Sequence, residues 1–127
     1  MEKRVTAFGG VFFKCRDKNA LIDWYKKHLG IPLESWGAMF PFEDSYKNNP
    51  EAYNVFSPFP SDTNYFEPST SSLMFNFIVE DLDALLATLA TEGIDSVKPA
   101  ESSEFGKFGW ILDCEGNKVE LWQPAKS

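Results

Sequence analysis

One pattern runs through this chain twice, and the second copy begins about 64 residues after the first. Each copy opens with a β-prone run, breaks at polar residues, enters an amphipathic helix that stops at glycine, and continues into further β-prone runs. Such a repeat constrains the fold strongly, because two copies of one supersecondary unit pack far more simply than ten unrelated elements. Gly10 and Met74 fall at equivalent positions on the two opening runs.

The first copy starts at Phe8-Gly-Gly-Val-Phe-Phe-Lys-Cys15, whose Phe and Val residues suit a pleated surface. Asp17 or Asn19 is placed to cap a helix. Between Ala20 and Leu29, apolar residues recur at Leu21, Trp24, Tyr25, His28 and Leu29, the series of one helical face. Gly30 then supplies a left-handed stop and Pro32 prevents continuation. Strands are expected at 35–42 and 52–57, joined by the polar stretch 43–51, and a short one near Tyr65 and Phe66. The second copy has a strand at Leu73–Val79, a helix opened by Glu80-Asp81 and running to about Thr91, and Gly93 as its stop. Strands follow at about 94–98, 107–112 and 118–122, with Asp113-Cys-Glu-Gly-Asn117 as the last hairpin turn. The reading is α+β, in the order βαβββ twice.

Composition narrows the function. The 127 residues fit one ordinary domain, and 43% hydrophobic residues can supply its core. A net charge of −7 argues against nucleic acid, whose backbone requires clustered Lys and Arg. No apolar run reaches the roughly 20 residues of a membrane span, so no membrane association is expected. Met1–Thr6 lacks an apolar core or a cleavage site, so no signal peptide is expected and the cytoplasm is the default location. Cys15 and Cys114 form no CxxC pair and are expected to be buried free thiols. Twelve Phe, four Trp and four Tyr exceed what a minimal core needs and point to an aromatic-lined cavity.

Three segments resemble the glyoxalase/bleomycin-resistance/dioxygenase superfamily, also called vicinal oxygen chelate proteins. They are Gly10–Asp17 with the helix ending Trp24-Tyr-Lys-Lys-His-Leu-Gly-Ile31, Phe75-Asn-Phe-Ile-Val-Glu-Asp-Leu-Asp83, and Phe108–Trp122. The last resembles the family's Asp-Pro-Glu/Asp-Gly-Asn turn followed by Glu-Leu-Trp, with Cys114 where proline is usual. The resemblance implies one domain of two βαβββ modules, about 5–70 and 71–125, with mixed sheets curled around a cleft. It also implies a homodimer, because members with two modules in one chain commonly dimerise.

In metal-using members, four His, Gln or Glu ligands line the cleft, leaving open positions for substrate oxygens. Carried over strand by strand, these positions fall on Gly10, on Met74, on Glu120 and near Asn64–Glu67. Glycine offers no donor, and a thioether is a poor ligand for hard divalent ions. Glu120 alone matches well, and Glu67 is a weaker candidate, so a divalent metal is expected only if these two hold it. No cofactor is otherwise expected and no catalytic residue is assigned. His28, the single histidine, reads as a helix residue. Strand alternation places Phe12 and Lys14 with Gly10, Asn76 with Met74, and Trp122 with Glu120. Trp36, Phe40 and Tyr53 on the middle strands complete an expected ligand set. Lys14 and Glu120 are alternatively a structural ion pair in a cleft filled by the chain's own side chains. Three functions follow: small-molecule binding without the full metal site, a divergent metal-dependent lyase or dioxygenase, or a non-catalytic interaction module.

Overall fold

The computed structural model describes residues 4–5 and 7–126. Helix α1 spans Lys18–Leu29, and Asp17 caps it by accepting the Ala20 N–H at 3.1 Å. Helix α3 spans Leu82–Thr91, and Asp81 caps it by accepting the Ala84 N–H, also at 3.1 Å. The two caps share one backbone geometry, φ −134° and ψ 95° against φ −137° and ψ 95°. Their residues are 64 positions apart (17 and 81, 20 and 84), so the sequence period survives as a repeated structural device. Gly30 takes the left-handed conformation, φ 65°, that ends α1.

Four strands form one mixed sheet: β1 Phe75–Ile78, β2 Glu101–Ser103, β3 Gly106–Leu112 and β4 Lys118–Pro124. Their order across the sheet is β1-β4-β3-β2, with β1 parallel to β4 and the other pairs antiparallel. In chain order this half reads strand, helix, strand, strand, strand, as expected. The hairpin turn holds because the Asp113 carboxylate accepts the N–H groups of Glu115 and Asn117 and the Asn117 side-chain amide. Asp113 also accepts the buried Tyr25 hydroxyl at 2.7 Å, tying the turn to α1. Gly116 takes φ 80° there, which a side chain would resist.

Both helices cover one face of the sheet. Leu21 and Tyr25 from α1, Leu82 and Leu89 from α3, and Ile111, Val119 and Leu121 from β3 and β4 form a single buried cluster. Fully burying each such aliphatic side chain stabilises by roughly 1.5–3 kcal/mol. Helix α3 packs closely over Gly109, where a Cβ would lie 3.1 Å from a Leu86 methyl. The first helical N–H of α3, on Leu82, donates to the Gln123 side chain on β4 at 2.9 Å.

The first half departs from the expected strands. Among the described residues, no strand precedes β1, and 8–15, 52–57 and 65–66 make no ladder. At 35–42 there is one isolated bridge, Glu34 to Gly37, and then helix α2, Phe42–Asn48. The polar stretch 43–51 is thus largely helical rather than a connection between strands. Glu43 and Asp44 lie in the first turn of α2, where the dipole favours acids, and Glu43 pairs with Lys47 one turn on at 3.2 Å. In the second half, 94–98 joins β3 by one bond, Val97 N–H to the Trp110 carbonyl, and the strand forms later at 101–103. The cysteines are free, with Cys15 half-buried but Cys114 exposed, against the expectation that both are buried. The Met1–Thr6 segment read for a leader lies partly outside the described residues. No helix among the described residues is long and apolar enough to cross a membrane.

Candidate functional site

The sheet face opposite the helices carries the site. Strand register sets Asn76, Glu120 and Trp110 in one row across β1, β4 and β3. The next row holds Ile78, Trp122 and Phe108. Glu120 is buried, 8% exposed, and accepts from three donors. Trp110 Nε1 donates to Oε1 at 2.9 Å, Asn76 Nδ2 donates to Oε2 at 2.6 Å, and the Tyr65 hydroxyl donates to Oε1. Three donors satisfy a carboxylate whose isolated burial would be costly.

Two lysines flank this acceptor. Lys118, also buried, donates to the Tyr65 carbonyl at 2.7 Å. Its ammonium lies 5.2 Å from the Tyr65 ring centre, and that of Lys98 lies 4.2 Å from the Trp110 ring centre. Both are cation–π distances. Burial, then the nearby Lys98 charge, lowers the Lys118 pKa against the pull of Glu120, Glu101 and Glu67. Burial and the bond to Glu120 raise the Tyr65 phenol well above its ordinary value, so it stays a neutral donor.

Two residues of the segment 53–66 reach these rows, Tyr53 and Tyr65. Tyr53 meets Trp122 edge-on at 5.2 Å, and Tyr65 meets Trp110 edge-on at 6.4 Å. Phe59 stacks on Tyr65 at 5.5 Å. Trp122 is otherwise fixed by stacking on Phe108 and by donating its ring N–H to the Phe105 carbonyl.

Of the residues expected at the cleft, Asn76, Glu120, Trp122 and Tyr53 therefore meet at this face. Met74 is half-buried just before β1. Phe12 is fully exposed, and Trp36 is 65% exposed. Phe40 sits 6.4 Å from Phe77, which alternates onto the helix-covered side. Lys14 lines a separate polar crevice of about 410 Å³ with Arg16, Ser69, Thr70, Ser71 and Glu115. The Lys14–Glu120 ion pair does not form, since Glu120 takes its partners from Tyr65, Trp110 and Asn76. Sequence reasoning missed Tyr65, Trp110, Lys98 and Lys118. Trp110 was within reach of it, because a hairpin turning at 113–117 sets position 110 opposite 120.

The superfamily's metal does not fit this donor set. Both oxygens of Glu120 are engaged, Gly10 has no side chain, Met74 offers only a thioether, and Glu67 is exposed. Among the described residues, no three His, Cys, Asp or Glu side chains converge as a metal group. His28 instead contacts Glu92 through Nδ1 at 2.8 Å, on the helix side.

No protein-family model and no curated protein matches the chain. Solved structures do. TnmS3, an antibiotic binding protein from Streptomyces sp. CB03234, is 20% identical over 98% of this chain and 100% of its own, with a TM-score of 0.61. The chain has the glyoxalase/bleomycin-resistance fold. An integron cassette protein from the mobile metagenome of V. cholerae shares that fold at 16% identity, over 86% of this chain and 88% of its own, with a TM-score of 0.51. A member of the glyoxalase/bleomycin resistance protein/dioxygenase superfamily from Sphaerobacter thermophilus DSM 20745 is 30% identical, but over 39% of this chain and 40% of its own, with a TM-score of 0.36. The chain thus spans less than half of that relative.

Proposed function

We propose that this protein binds a small, planar aromatic or cationic molecule on the Glu120 face of its sheet, without the superfamily's full metal site. The observation that carries this reading is the Glu120 row itself. Its one retained family carboxylate serves as a hydrogen-bond acceptor among Trp110, Tyr65 and Asn76, with Trp122 and Tyr53 beside it. Apolar walls with a few orienting polar atoms are the makeup of small-molecule sites. The fold shared with an antibiotic binding protein supports the same reading.

On this reading the cytoplasmic chain is one domain of two modules, about 5–70 and 71–125, supported by the matched Asp17 and Asp81 caps. It works as a homodimer, which would cover the exposed Phe12, Trp36, Met39, Phe40 and Phe56. The test is a panel of planar aromatic and cationic compounds with chelator present, read by tryptophan fluorescence and melting temperature. Binding on the order of micromolar, unchanged by chelator, is expected. A panel that neither quenches fluorescence nor moves the melting temperature refutes the reading.

A further inference from the structure

The Glu120 face already holds an aromatic ring, and that ring belongs to the chain. Tyr65 places a phenol where a small ligand would sit, with its hydroxyl on Glu120 and its ring against Trp110, Phe59 and the two lysines. The segment bearing it makes no ladder. It reaches the site face through Tyr53 on Trp122 and through Tyr65, while Asn54, Val55, Phe56 and Pro58 between them are exposed. The hydroxyl bond and the ring contacts are ones that an incoming aromatic molecule can reproduce, whereas the Lys118 bond to the Tyr65 carbonyl holds the backbone in place.

We propose that Tyr65 is a displaceable internal ligand, a latch that occupies the site until an external phenol takes over its bond to Glu120. This rests on the binding reading and gives it a ligand class, planar aromatics bearing a hydroxyl donor. Specificity follows from pairing. A ring without a donor would displace Tyr65 yet leave Glu120 Oε1 with the Trp110 N–H as its remaining donor, one charge-assisted bond fewer, which disfavours it. A phenol restores the bond. The two ammonium groups favour an electron-rich ring in that position. Competition also sets apparent affinity, because the site binds only in the fraction of molecules whose Tyr65 has left.

The test compares 4-fluorophenol with fluorobenzene, followed by fluorine NMR, on the full-length wild type, Tyr65→Phe and Tyr65→Ala. The Trp110 indole N–H resonance locates the ligand, since that group donates to Glu120. Tyr65→Phe keeps the ring and removes the competing donor, so it should bind 4-fluorophenol about five-fold or more tightly than wild type and shift the indole signal. Fluorobenzene should gain less than about two-fold. No detectable wild-type binding alongside clear Tyr65→Phe binding also supports the latch. Equal phenol affinity in the two proteins, or equal gains for both probes, overturns it. Phenol uptake by Tyr65→Ala alone overturns it too, because a cavity made by deletion is not one that a ligand opens. If the latch fails while wild type still binds compounds from the aromatic panel, the binding reading stands. Silence in all three proteins and across the panel removes both.

Discussion

The two halves of the chain open with the same device and then part. Asp17 and Asp81 cap their helices with the same geometry, and both helices feed one core cluster. After that cluster, the second half closes a four-stranded sheet, whereas the described residues of the first half have helix α2 and no strand, with Val11, Phe12, Trp36, Met39 and Phe56 exposed. The difference separates two kinds of information. A cap and an amphipathic face are decided within a few residues. A ladder is decided by a partner elsewhere, and similar Phe and Val content leads to different outcomes with and without one.

The contrast is sharpened most by deleting apolar side chains. Leu121→Ala should cost about 3 kcal/mol in urea unfolding, because it opens the cluster beneath α3. Phe12→Ala should stay within about 0.5 kcal/mol at concentrations that keep the chain monomeric, since its ring is fully exposed. A large Phe12 cost under those conditions would break the comparison. The caps test the similarity rather than the difference. Asp17→Ala and Asp81→Ala should each cost about 1 kcal/mol, and a marked inequality would show that the two helices contribute unequally to one cooperative unit.

The smallest effect lies where the halves meet. Glu115 in the hairpin turn accepts the N–H groups of Arg16 and Asp17 at 2.8–3.1 Å, and those bonds lower its pKa. A carboxylate lowered on folding contributes stability that is complete above its unfolded value, near 4.3, and is lost as pH falls through the folded value. Glu115→Gln should therefore melt below wild type at neutral pH and converge with it in acid. A gap that persists undiminished below the carboxylate range would assign the effect to packing.

Legibility in the sequence follows the same division. The helices, their caps, the 113–117 turn and three of the second-half strands could be read because each has a local signature. Helix α2 could not, although Glu43, Asp44 and Lys47 are spaced for it, because Trp36–Phe42 reads more strongly as a β-prone run. At the site, Glu120 followed from the resemblance to the superfamily, and Asn76 and Trp122 from alternation along their strands. Trp110 required one further step, counting back across the hairpin. Tyr65 was out of reach, because it meets Glu120 across 55 positions from a segment without periodicity. Phe12 and Lys14 were assigned to the cleft by alternation on a strand that makes no ladder, and without pairing that alternation fixes no face.

Trp110 has a consequence of a different kind. Its indole donates to a carboxylate, lies beneath an ammonium 4.2 Å from its ring centre, and is 2% exposed. The carboxylate meets the indole at its ring nitrogen and the ammonium sits over its ring, so two opposite charges act on it from different directions. Any rearrangement of Glu120, Tyr65 or Lys98 would therefore change the surroundings of this one buried ring.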